Sequence, residues 1–247
     1  MQMPPPTGLT ERHRYKRILP PLHFPEEEQV TEGELHLEVR LLLRAVLKLE
    51  LEGRATVGSD QFVYWNARDP QRCLAPDVFV RLAAVVHDLR TWKTWEHGGV
   101  PELGVEISSP SDTPEGPWQD KLERYAELGV RELVRFGREP PRLQIWDRVD
   151  ENLLEREVGD RAEWSEVLGL WWVTVSHPDL GPTLRLARDP AGQDLLPTPL
   201  ENARRAHAEE RRAHAEERRA HAEERRAREA AEERIRELEA ELRRRGG

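Results

Sequence analysis

Residues 204–224 read RRAHAEE three times over. A seven-residue repeat of arginine, alanine, histidine and glutamate holds almost nothing with which to build a core, so it calls for an exposed helix. Arg205 stands four residues before Glu209, and Glu209 three before Arg212. At those spacings each pair contributes only about 0.2–0.5 kcal/mol, but many in series favour a helix. Aligning heptads on Ile235, Leu238 and Leu242 places His207, His214 and His221 in the seam, where a strong coiled coil would carry apolar side chains. The expectation is therefore a solvated single helix or a weak oligomerising stalk. A seven-residue spacing does not converge two imidazoles on one metal ion, so the histidines read as by-products of the repeat.

The repeat also divides the charge. From Glu201 onward there are 14 arginines against 13 acidic residues, while the other 200 residues carry 24 Lys and Arg against 34 acids, a net −10. The acidity thus belongs to the body, which offers no bulk attraction to nucleic acid. The longest apolar run, Leu170 to Val175, is too short for a membrane span or a signal peptide. The single cysteine, Cys73, excludes a disulfide scaffold and a cysteine-rich zinc site and reads as a small buried hydrophobe. A soluble cytoplasmic protein with no membrane partner is expected. Four segments follow: an irregular proline-bearing arm over 1–25, a folded domain over 26–188, a proline-rich linker over 189–200 and the helical tail over 201–247.

Within the body, Thr31-Glu32-Gly33-Glu34 has the form of a capping box with Thr31 as N-cap. Leu35, Val39, Leu42, Val46 and Leu49 then keep the helical period until Gly53. Strands are expected over 54–57, 61–66, 78–80, 104–108, 132–136 and 143–146, with a second helix over 118–128 stopped by Gly129. Helix, strands, helix, strands imply an α/β (α+β) body built on a central mixed sheet. Trp92, Trp95, Trp171 and Trp172 have rings that could stack on bases, but large rings in a small domain are more often core.

Three residues stand out by position. Glu106 lies on a strand whose other face presents Val105 and Ile107, so it points the opposite way with Gly104 and Ser108. Asp77 opens a neighbouring strand directly after Pro76. Two carboxylates at adjacent strand ends make an oxygen site suited to a hard cation such as Mg²⁺. On the second helix, Lys121 falls on the apolar stripe between Tyr125 and Leu128. An inward ammonium needs a partner, because burying it alone is costly, and Asp77 and Glu106 would supply one. Taken singly, an aspartate after proline is usually a turn former, a strand glutamate a solvated face, and an inward lysine one that snorkels.

The stretches APDVFV (75–80), KTWEHGGVPELGVEISSPSD (93–112) and DKLERYAELGVREL (120–133) resemble the restriction-endonuclease family called Uma-two, within the PD-(D/E)XK nuclease superfamily. SEVLGLWW (165–172), LRL (184–186) and TPLEN (198–202) extend the resemblance, as does the Arg/Glu-rich tail. It implies a restriction-endonuclease-like core with helices flanking the sheet, plus the long charged C-terminal helix. It also implies Mg²⁺ or Mn²⁺ as cofactor and nucleic acid, DNA first, as partner. Asp77 matches the family's PD aspartate, Glu106 its strand glutamate and Lys121 a lysine moved from the superfamily's usual place, here Ser108, to the next helix. His36 matches a histidine often found on the first helix, and Glu38 is a second candidate for an acidic helper there, with Ser108 a further auxiliary candidate. The aspartate that relatives often carry four residues before the lysine is Pro117 here.

These readings converge on metal-dependent phosphodiester hydrolysis. Asp77, Glu106 and the Ile107 carbonyl would hold the metal, and Lys121 would orient water and stabilise negative charge. Arg12, Arg14, Lys16 and Arg17 are the densest basic group, which places any grip on DNA in the arm. The alternative is a catalytically inactive nuclease fold acting as an interaction protein, with homodimerisation through body or tail.

Overall fold

A computed structural model describes residues 22–24, 33–84, 90–108, 117–159 and 162–245. The expected capping residue Thr31, the arm's basic group and most of residues 1–32 lie outside them. Helix α1 spans Glu34–Glu50, with Gly33 as its N-cap and no side-chain capping bond. Its buried stripe is Val39, Arg40, Leu43, Val46 and Leu47, while Leu35 is exposed. The stripe is rotated by about one residue from the sequence expectation because Arg40 takes an inward place. Gly53 sits at φ +69° just beyond the helix, a left-handed conformation that glycine adopts without the Cβ penalty.

Six strands form the central sheet: β1 (Ala55–Gly58), β4 (Val78–Leu82), β6 (Leu103–Ser108), β7 (Glu132–Arg138), β8 (Pro141–Val149) and β9 (Asn152–Glu155), in the order β1-β4-β6-β7-β8-β9. Only β6 and β7 run parallel. Helix α2 (Pro117–Leu128) lies between them in sequence, as a parallel pair requires a crossover. The sheet is therefore mixed and flanked by helices.

Alternation along each strand assigns one core to each face. Leu103, Val105, Val134, Phe136 and Ile145 point to the face covered by α1 and by a three-stranded sheet, β10 (Ala162–Ser165), β11 (Leu170–His177) and β12 (Gly181–Ala187). Phe79, Leu133 and Trp146 point to the other, covered by α2 and the short strands β2 (Val63–Tyr64), β3 (Cys73–Leu74) and β5 (Trp92–Lys93). Trp92 and Trp172 are fully buried, so those two rings belong to the core, each worth about 1.5–3 kcal/mol or more of burial. Cys73 is half-buried rather than buried.

Residues 189–198 fold back on β12 through an Ala187–Leu195 bridge, and Leu196 is buried. Helix α3 (Pro199–Arg245) then runs for 47 residues, about 70 Å at 1.5 Å per residue. Thr198 and Glu201 form a reciprocal capping box: Glu201 N–H donates to Thr198 Oγ1 at 3.1 Å, and Thr198 N–H to Glu201 Oε2 at 2.7 Å. Arg185 reaches the same carboxylate at 3.2 Å and ties the helix start to the body. The expected Arg205–Glu209 pair does not close; ion pairs form further along, at Arg225–Glu229, Arg234–Glu237 and Arg245–Glu241. No helix of the described residues is long and apolar enough to cross a membrane.

Candidate active site

The centre of the site is set by a proline. Strands β4 and β6 pair antiparallel with Val78 opposite Val105, so Asp77 faces Glu106 and Pro76 faces Ile107. Proline has no N–H, and its carbonyl accepts from the Asp60 N–H at 2.9 Å. The ladder therefore stops at this point. Ile107 N–H turns instead to Asp77 Oδ2 at 2.6 Å. The same absence leaves the Ile107 carbonyl with no ladder donor from position 76.

The other Asp77 oxygen, Oδ1, lies 2.9 Å from His36 Nε2, near the start of α1. One turn later on the helix, Arg40 pairs with Asp60 at 3.3 Å and donates to Ser59 Oγ at 3.1 Å. Asp60 in turn holds Pro76, so α1, the Ser59–Asp60 turn and the Pro76–Asp77 corner form one bonded unit.

Glu106 is buried. Lys121 Nζ, from α2, donates to Oε2 at 2.6 Å, and Tyr125 Oη donates to Oε1 at 2.5 Å. Lys121 and Tyr125 are four residues apart and so share a helix face. Tyr125 reaches this depth because position 104 is glycine: a Cβ there would stand 2.6 Å from Tyr125 Cε1. Burial pushes the Glu106 carboxyl up to about 7; the Lys121 ammonium and the two hydrogen bonds pull it down, and nearby Asp77 pushes it up. Burial, with the Glu106 charge beside it, also holds the Tyr125 hydroxyl well above its ordinary value. The tyrosine is thus a fixed donor.

The structure brings together Asp77, Glu106, Lys121 and His36. Ser108, two residues beyond Glu106 on the same face, accepts from Arg135 Nε at 3.2 Å and donates weakly to the Phe136 carbonyl at 3.4 Å. Glu38 is exposed, pointing away from this group. Asp120, beside Lys121, is also exposed. The helical pattern alone places Tyr125 in an apolar stripe and gives no sign of Arg40, so neither residue is among those expected at the site. The signal was a tyrosine one turn from the lysine, with a glycine two residues before the glutamate to admit it.

Among the described residues no three His, Cys, Asp or Glu side chains gather as a metal cage. The oxygens available are those of Asp77 and Glu106 and the Ile107 carbonyl. Mg²⁺ commonly takes one or two carboxylates and fills its remaining positions with water and substrate oxygens. Each carboxylate oxygen keeps a second lone pair beyond its present hydrogen bond. The donor set fits a hard divalent cation.

No curated protein matches the chain. A solved structure from Anabaena variabilis, described as "a putative nuclease belonging to DUF820", is similar at 9% identity with a TM-score of 0.43, covering 57% of this chain and 76% of that one. The Uma2 family, described as "Putative restriction endonuclease", matches residues 25–176. That span contains His36, Asp77, Glu106, Lys121 and Tyr125 together with every strand of the central sheet, and the chain belongs to the Uma2 family of restriction-endonuclease-like proteins.

Proposed function

We propose that the protein is a cytoplasmic, metal-dependent endonuclease that hydrolyses phosphodiester bonds, with DNA as its substrate. One observation carries this reading: two carboxylates facing each other across β4 and β6, with a lysine held at 2.6 Å on the second of them. Asp77, Glu106 and the Ile107 carbonyl would hold Mg²⁺ or Mn²⁺, which would supply Lewis-acid polarisation of the phosphate and a more acidic water.

The remaining work falls to the chain's own side chains. Lys121 is 38% exposed at the side chain, against 7% for Glu106, so its ammonium sits between the buried carboxylate and solvent. There it orients the attacking water and offsets negative charge developing on the phosphate. His36 and the Ile107 N–H fix the Asp77 carboxylate, and Tyr125 fixes that of Glu106. Such supports hold reacting groups in place by hydrogen bonds, as outer partners do at metal sites. Incubating supercoiled plasmid and single-stranded oligonucleotides with Mg²⁺ or Mn²⁺ tests the reading. Wild type should cleave, and Asp77→Ala and Lys121→Ala should lose about 10²-fold or more; equal rates in all three would remove the assignment.

A second reading is an inactive nuclease fold that assembles as a homodimer. The long exposed helix α3, anchored at one end through Arg185 and Glu201, favours it. Mn²⁺ titration separates the two. An enzyme has a divalent site that Glu106→Ala abolishes, and a scaffold has none.

A further inference from the structure

The parallel pairing of β6 with β7 sets Glu106 beside Arg135, and the antiparallel pairing of β7 with β8 sets Arg135 beside Gln144. With Asp77 facing Glu106, one row across a single face of the sheet reads Asp77, Glu106, Arg135, Gln144. The next row reads Ser108, Gly137, Arg142. Neighbouring strands lie about 4.8 Å apart, so the polarity changes from acidic to basic within two strands. Along this face a cavity of about 440 Å³ opens, lined by Ser108, Trp118, Arg135, Gly137, Arg142 and Gln144 among others. That is room for a unit the size of one nucleotide.

The cations here are unequal. Arg138 donates to the carbonyls of Leu180 and Pro182 and so serves the fold. Arg135 is held in place: its guanidinium lies 4.3 Å from the centre of the Trp118 ring and its Nε donates to Ser108. A guanidinium fixed over a ring keeps its positive charge at a set place on the groove wall. Arg142 is exposed, and its side chain makes no hydrogen bond or ion pair among the described residues. Glu139 and Glu155 also line the cavity, and Glu155 is engaged by Gln144 Nε2 at 2.8 Å. In a body that carries −10 overall, this is a local cationic face, contiguous with the carboxylates.

We propose that this groove, through Arg135 and Arg142, binds the phosphodiester backbone of a nucleic-acid strand next to the bond held at Asp77 and Glu106. The inference rests on the nuclease reading for its orientation, but its test is binding rather than cleavage. DNA and RNA present the same backbone phosphate, so both are used as probes.

The experiment measures fluorescence anisotropy of labelled single-stranded DNA, duplex DNA and single-stranded RNA with the full-length protein. It is run in chelator over a series of salt concentrations, with cleavage followed separately in Mn²⁺. Arg142→Glu should weaken binding about tenfold or more, and Arg142→Ala should lower the salt slope by nearly one. Arg131→Glu, outside the groove, should do neither. The probe held most tightly and most sensitive to Arg142 names the backbone the groove takes. Unchanged affinity and slope in both Arg142 variants, with wild type still cleaving, would overturn the groove and leave the nuclease standing. Binding that depends on Arg142 without cleavage by any form would keep the groove and overturn the nuclease. No binding by wild type at low salt would overturn the groove whatever the cleavage result.

Discussion

At the scale of single residues, the site is a contest between burial and charge at Glu106. Removing a carboxylate from water favours its neutral form, and Lys121 and Tyr125 recover only part of that cost. With the carboxyl at about 7 in the folded protein against an ordinary 4.5, the folded state holds the proton more tightly than the unfolded chain does. The stabilisation from that proton is complete below about 4.5 and is lost as pH rises through about 7, by roughly 3 kcal/mol. The metal-free protein should therefore become less resistant to urea between pH 5 and pH 8. Glu106→Gln should flatten that slope, and an unchanged slope in the variant would place the titrating group elsewhere. A divalent cation must displace the same proton, so Mn²⁺ affinity should rise as pH passes 7 and calorimetry should record proton release below it.

At the scale of elements, position 104 links strand and helix. Gly104→Ala would drive a methyl group against Tyr125 Cε1, where the added Cβ would stand at 2.6 Å. Overpacking of this kind costs about 1–3 kcal/mol, and here it also moves the donor off Glu106. Denaturant melts should show the loss. In cleavage kinetics the double variant Gly104→Ala/Tyr125→Phe should lose no more than the worse of the two single variants, because both disturb the same hydrogen bond to Glu106. At the other end of the chain, Thr198→Ala removes half of the box that starts α3 and should cost about 0.5–2 kcal/mol in the melt of that helix. What the sequence made legible was whatever has its own period or punctuation: α1, α2, β1, β2, β4, β6, β7, the middle of β8 and the repeat of α3. The inward aim of Lys121 was legible too, since it follows from counting 100° per residue. Strands β9 to β12 and the short β3 and β5 were not. They are held by tertiary pairing and by buried groups such as Glu132, which accepts from Ser165 and Trp172, and local pattern carries no trace of those partners. The rotated stripe of α1 has the same origin, because Arg40 is drawn inward by Asp60 from a different element.

At the scale of the molecule, the chain is an acidic body with a long, nearly neutral helix at its end. The net charge of −9 argues against a nucleic-acid partner only if charge is read as a sum. Distributed over the fold, carboxylates meet at the β4–β6 corner, and arginines that look scattered in sequence come together two strands away on the same face. That gradient, from a corner of carboxylates to a groove lined by arginines, is the property the proposed phosphodiesterase site needs, and it exists only once the sheet is formed. The nuclease reading proposed from the family match and from the geometry of Asp77, Glu106 and Lys121 rests on one chemical claim, that Glu106 takes part in hydrolysis. The most direct test is the single-turnover rate of DNA cleavage in saturating Mn²⁺ for wild type and for Glu106→Gln, which keeps the shape and removes the charge. A measurable wild-type rate and a loss of about 10²-fold or more in Glu106→Gln are expected; equal rates in the two folded proteins would contradict a hydrolytic role for Glu106.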